Sequence, residues 1–205
     1  RGARRGMASS SFSINDINEV KQARGCVAIS DWMGATQLLD QAKSFLASVP
    51  DLQRQVQIQI ADVYQLKGDL QAEIKARREL LAMSASLQTH ALLATTSLAV
   101  ALVRGGDVSD AIEVCDKALQ EYSDNNPRVQ TVRALALSHH ESRYGEAIEA
   151  LDELIGRVEG VAKADALLVR CRCISKLKGE DEATLAYREV EEMCGTEPDL
   201  AIQIA

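Results

Sequence analysis

The strongest constraint in this chain is a turn that returns at nearly constant spacing. Ser30-Asp31-Trp32, Gly68-Asp69-Leu70, Gly106-Asp107-Val108, Ser142-Arg143-Tyr144 and Gly179-Glu180-Asp181 each lie between two stretches with helical patterning. Counted on the last residue of each triplet, the steps are 38, 38, 36 and 37 residues. A unit of two helices cannot bury its apolar faces alone, so successive units must stack. The chain is therefore read as all-α, a right-handed solenoid of about five helical hairpins.

Composition agrees with that reading. Hydrophobic residues make up 46% of the 205 positions and aromatics only 3%, so Leu, Ala, Val and Ile must fill the core. Ala and Leu favour helix, and only three prolines interrupt. No stretch alternates with period two, so strands are not required. No apolar run reaches the roughly 18–20 residues of a membrane span. The best candidate, Ala91 to Val103, is broken by Thr95, Thr96 and Ser97 and reads as a buried helix.

Periodicity and punctuation predict ten helices: 14–29, 34–48, 52–67, 70–84, 87–104, 108–122, 128–141, 144–158, 162–178 and 182–194. Val56, Ile60, Val63 and Leu66 step by three and four, the apolar stripe of a helix. Pro50 suits a helix start, Gly68 a helix end and Asp69 the next cap. Asn125-Asn126-Pro127 is a loop signal. Three regions follow. Residues 1–13 are expected to be a disordered leader, an expression remnant ahead of Met7 or a transit segment, because RGARRGM holds three Arg and no acid. Residues 14–195 form the array. Residues 196–205, after Gly195-Thr196-Glu197-Pro198-Asp199, are expected to start a further helix or a cap.

Aligning the turns exposes a second regularity. Nine residues before each turn residue stand Ala23, Ala61, Ala99, Leu135 and Arg172; three after it stand Ala35, Glu73, Ala111, Ala147 and Thr184. Seven further come Ala42, Leu80, Ala118, Leu154 and Glu191. Small residues at facing slots let two antiparallel helices approach closely. With Leu98-Ala99, Leu102, Gly106-Asp107, Ala111-Ile112 and Ala118-Leu119 in the third unit, the pattern resembles the tetratricopeptide repeat (TPR). Tyr144-Gly145-Glu146-Ala147-Ile148 matches in the fourth. The first keeps Trp32, and the second Tyr64. The fifth fits worst, with Arg172, Thr184 and Glu191 where small residues are usual. The period is longer than the family's usual 34 residues, and its bulky aromatics are mostly aliphatic here.

The resemblance implies that the first helix of each pair lines a groove that holds a peptide or helix of another protein. Carried onto this chain, the groove would show Val20 and Arg24; Ile58, Asp62 and Gln65; Thr96, Val100 and Val103; Val132, Ala136 and His139; and Val169, Cys173 and Lys176. Some members of the family clamp a C-terminal carboxylate with Lys, Asn and Arg. That set is not reproduced, and Asp62 would repel a carboxylate. The groove is apolar instead at Ile58, Val100, Val132 and Val169. It has two readings: a seat for a partner's apolar face, or residues covered by a neighbouring helix.

Other function classes find little support. Beyond the first seven residues the chain carries 20 basic and 30 acidic groups, which disfavours nucleic-acid binding through a broad basic face. The cysteines Cys26, Cys115, Cys171, Cys173 and Cys194 are odd in number and scattered, reading as reduced thiols of a cytoplasmic protein. His139-His140 are about 100° apart on a helix, and Cys171 and Cys173 point to different sides, so neither pair reads as a metal site. No G-x-S-x-G, phosphate loop or H-E-x-x-H occurs. The expectation is a non-catalytic adaptor or co-chaperone module without cofactor. Self-association through Leu200, Ile202 and Ile204 is the second expectation.

Overall fold

A computed structural model of the chain describes residues 13–122 and 125–196. The expected leader up to residue 12 and the terminal residues 197–205 lie outside the described residues. The chain divides after Met83 into two compact units. Among the described residues there are ten α-helices and no strand. This is the helical-hairpin solenoid class that the repeating turns predict.

The first unit holds α1 (Asn18–Ala28), α2 (Trp32–Phe45), α3 (Pro50–Lys67) and α4 (Leu70–Ser84). A short 3₁₀ turn, Ile14–Asp16, precedes α1, so the first predicted helix is broken at Ile17. The turns do what their residues allow. Asp31 caps α2 by accepting from the Gly34 amide at 2.9 Å. Gly68 ends α3 with φ +77°, a left-handed geometry that costs an L-residue a clash between Cβ and backbone. Asp69 then accepts from the Ala72 amide at 3.3 Å. Val20, Leu39, Val56 and Ile60 centre the core, with Ala23, Ala35, Ala42 and Ala61 buried where helices meet. Leu66, included in the predicted stripe of α3, lies on the surface instead.

The second unit holds three hairpins: α5 (Gln88–Gly105) with α6 (Val108–Glu121), α7 (Pro127–Leu137) with α8 (Tyr144–Ile155), and α9 (Gly160–Lys178) with α10 (Glu180–Thr196). Each first helix also packs on the next first helix, α5 on α7 and α7 on α9. Gly106, at φ +83°, closes the first of these hairpins. Asn126 caps α7 by accepting from the Val129 amide at 3.0 Å, with Pro127 at the first helical position.

Two hairpins depart from the predicted register, each for a visible reason. The predicted helix 128–141 stops at Leu137, and a 3₁₀ turn, Glu141–Arg143, fills the gap before α8. The inserted turn moves the packing residue of α7 from Leu135, half-buried, to Ala134, buried. In the last hairpin Gly179 alone, at φ +104°, separates α9 from α10. That tighter turn advances every slot by one residue. Cys171, Ala183 and Val190 are buried where Arg172, Thr184 and Glu191 had been aligned. The fifth unit therefore keeps its small residues, and its apparent misfit was a one-residue error in the assigned turn.

The glycines give a two-way test. Neither at Gly68 nor at Gly25, inside α1, does an added Cβ come within 4 Å of a more distant residue, so the two differ only in their own backbone geometry. Gly68→Ala should lower stability by about 1–2 kcal/mol through its positive φ alone. Gly25→Ala should raise it by about 0.5–1 kcal/mol, as helix interiors favour alanine. Urea unfolding monitored by circular dichroism measures both, with native helicity unchanged.

Candidate functional site

The expected groove residues fall on both units. On the first unit, α3 supplies Ile58, Asp62 and Gln65, all exposed. Asp62 and Gln65 are already engaged. Arg77 of α4, buried, donates from Nη2 to Gln65 Oε1 at 2.7 Å and lies 3.5 Å from Asp62 Oδ1. Its Nε donates to Glu73 Oε1 at 2.8 Å, and Glu73 is 1% exposed. Desolvation raises the Asp62 pKa, with Arg77 pulling the other way. Val20 is fully buried, which corrects its expected exposure, and of the two α1 candidates only Arg24 is exposed.

The seam between α3 and α4 is polar beyond this network. Gln57 of α3 donates to the Ala76 carbonyl at 2.9 Å and to Glu79 Oε2 at 3.3 Å, and Glu79 also pairs with Lys43 of α2 at 3.1 Å. Arg54 pairs with Asp51, yet its Nε and Gln57 Oε1 are buried without a hydrogen-bond partner among the described residues. Exchanging a whole buried ion pair for apolar side chains is often neutral, whereas breaking one side leaves a charge desolvated. Arg77→Met alone should cost about 3–5 kcal/mol, because Glu73 loses its guanidinium. Adding Glu73→Leu should recover most of that loss in a chemical-denaturation cycle.

On the second unit the nine expected residues separate. Val100 and Lys176 are exposed on α5 and α9, and His139 is exposed in the turn after α7. Val132 and Val169 are half-buried. Thr96, Val103, Ala136 and Cys173 are buried, which corrects their expected exposure. Thr96 turns its hydroxyl to the Leu93 carbonyl at 2.9 Å. Ala136 and Cys173 are completely covered. The Ser138 hydroxyl, just past the end of α7, donates to the Leu135 carbonyl at 2.7 Å, and burial raises the pKa of the Cys173 thiol. Helix contact explains all four: the first helices touch one another as well as their own partners.

What remains outward forms a regular pattern. On α7 the stripe is Arg128, Val132 and Leu135, continued by His139. On α9 it is Asp165, Val169, Arg172 and Lys176. Both step by four, three and four, the spacing of one helix face. On α5, Leu93 and Val100 are exposed, at 48% and 36%. An open cleft of about 280 Å³ joins the starts of two of these helices, lined by Gln88, Thr89, Leu92, Leu93, Asn126 and Arg128. Asp165 lies near Arg128, and Arg172 Nη2 is 3.3 Å from His139 Nε2. The sequence reading missed Leu93, Arg128 and Arg172. Their signal was present in the shared spacing of 128, 132, 135, 139 with 165, 169, 172, 176.

Although His139 is exposed, partial desolvation by its neighbours and then the Arg172 charge both lower its pKa. Its folded value lies below its unfolded one near 6.5, so the folded chain binds that proton less tightly. Its contribution to stability is present above pH 6.5 and is lost as pH falls through the folded value. Proton NMR should show His139 titrating below the ordinary histidine range, and Arg172→Gln should move it up. The buried thiols follow the same logic in reverse: burial pushes Cys115 up to about 12 and also raises Cys171 and Cys173. Among the described residues no group of three His, Cys, Asp or Glu side chains converges as a metal site. Nor is any described helix long and apolar enough to cross a membrane.

Comparison with known proteins places this geometry. No protein-family profile matches the sequence, and no curated protein does. Solved structures do match. One is a Podosopora anserina protein of nearly identical TPR-like repeats, assigned as a kinesin light chain, with a TM-score of 0.65, 17% identity, and coverage of 91% of this chain and 99% of that one. YrrB, described as a TPR protein with an unusual peptide-binding site, has a TM-score of 0.54 and 16% identity over 92% of this chain and 90% of its own. The Rap conjugation gene regulator of plasmid pLS20, solved in complex with the Phr* peptide, has a TM-score of 0.60 and 14% identity, over 97% of this chain and 60% of its own. At such identities the likeness is one of fold.

Proposed function

We propose, taking the tetratricopeptide-type fold shared with those structures as premise, that this chain is a protein-interaction adaptor. Its binding surface is the outward face of α5, α7 and α9, and its partner is an extended or helical segment of another protein. The observation that carries the reading is the apolar line on that face: Leu93 and Val100 exposed, Val132, Leu135 and Val169 half-buried, on helices that pack side by side. Contiguous exposed apolar surface rimmed by polar groups is the usual mark of an interaction site. The peptide-binding descriptions of YrrB and of the Rap–Phr* complex support the same use of the fold.

An adaptor of this kind, of which a co-chaperone is one form, needs neither a catalytic group nor a cofactor. Its free thiols, three of them buried, suit a reducing compartment such as the cytoplasm. Ile58 on α3 is a separate apolar point on the first unit. The apolar terminus invoked for self-association lies outside the described residues.

Peptides selected against the immobilised chain test the proposal. Leu93→Asp with Val100→Asp should weaken the selected peptides at least tenfold while far-ultraviolet circular dichroism stays unchanged. Val132→Ser with Val169→Ser should weaken them less, in keeping with half-burial. Retained affinity in the well-folded Asp variant would assign the peptides to another surface.

A further inference from the structure

Charge on the second unit is sorted by helix. α5 carries Arg104 and no acid; α7 carries two arginines and no acid; α9 carries five basic residues and one acid, Asp165. The second helices are the opposite. α6 has four acids and one lysine, α8 four acids and no base, α10 six acids and one arginine. Two of the first-helix cations are engaged across the hairpins: Arg133 pairs with Asp116 and Glu146, and Arg170 with Asp152. Others stay on the outward stripes. Arg128, Arg172 and Lys176 are exposed and have no carboxylate within ion-pair distance among the described residues. Among the described residues of α5, α7 and α9 the one acid is Asp165, itself exposed near Arg128.

A cationic face on a chain of net charge −7 is a local feature set against the bulk. Its arrangement is also specific. Arg128 stands at the start of α7, and Arg172 lies beside His139 just past its end, with Val132 and Leu135 between. The 11 residues of α7 separate these cations by about 16 Å along its axis. An extended chain covers that distance in about five residues.

We infer that the segment held on this face is acidic: side-chain carboxylates about five residues apart meet Arg128 and the Arg172–Lys176 pair, with apolar side chains between them on Val132 and Val169. This rests on the proposed use of the face and adds the chemistry of its occupant. The carboxylates belong to side chains, so a free C-terminus is not required. The acidic second helices turn away polyanionic backbones, whereas a short segment with few charges reaches the face alone.

The probe is an eight-residue peptide, acetylated and amidated, with two glutamates at each end of a Leu-Gly-Leu-Leu centre, which sets the inner glutamates five residues apart. Its control replaces glutamate by glutamine. In fluorescence anisotropy at low salt the glutamate peptide should bind at least tenfold more tightly, and the advantage should shrink at about 0.5 M salt. Arg128→Gln with Arg172→Gln should remove the advantage. Arg188→Gln, the loss of a cation from α10, should preserve it and so separate local charge from net charge.

Equal binding of the two peptides, no binding of either, or equal loss in the Arg188→Gln variant overturns the inference. If both bind equally but Leu93→Asp with Val100→Asp releases them, the apolar face stands and only its acidic occupant falls. If that variant releases neither, the face itself is the wrong surface. A concentration-dependent dimer that disperses in the Arg128→Gln, Arg172→Gln variant would assign the face to a second copy. Tighter binding of a single-stranded oligonucleotide would assign it to nucleic acid. Either result overturns the inference.

Discussion

Everything in this molecule follows from alanine-sized contact between paired helices. Ala23, Ala35, Ala42, Ala61, Ala99, Ala111, Ala118 and Ala147 are buried to within a few per cent. A methyl group at a crossing lets two backbones approach, and larger neighbours such as Leu39, Leu102, Leu151 and Leu167 fill the space around it. Because the contact is short, turns of one or two residues reverse the chain in three of the hairpins, where Gly68, Gly106 and Gly179 supply a positive φ. Replacing such an alanine by a large residue would force the helices apart, and the next pair would lose its seat.

The same contact decides what is left for function. In the second unit the first helices touch their own partners and each other, so two sides of each are consumed. That is why Thr96, Val103, Ala136 and Cys173 are buried although a simple groove assignment exposes them. A single narrow stripe remains on α7 and on α9. Apolar Val132, Leu135 and Val169, with Arg128 before them and Arg172 and Lys176 after them, give the face its chemistry. The second helices α6, α8 and α10 carry most of the acids of this unit.

Much of this was legible from residues alone. The turns at Asp31, Gly68-Asp69 and Gly106-Asp107 set the hairpins, because cap and left-handed glycine act locally. Helix α4 was bounded to the residue. The register failed at α7 and α10, where one 3₁₀ turn and one single-glycine turn shift the helices by about a residue. Loop length is not encoded in helix periodicity, so an alignment pinned to assumed turns carries that error into every slot. Arg172 was read as a misfit in the core for this reason, though it is exposed and faces His139. The polar seam of Arg54, Gln57, Glu73 and Arg77 was also out of reach, since only the fold brings α3 against α4.

The central claim is that the outward stripe of the first helices in the second unit is the binding surface. Methyl NMR of the labelled Leu, Val and Ile side chains, titrated with the glutamate peptide, tests it most directly. The account predicts shifts at Leu93, Val100, Val132 and Val169, with Leu185 on α10 and Ile29 on the first unit unmoved. Shifts at Leu185 or Ile29 with the four stripe residues silent would contradict it.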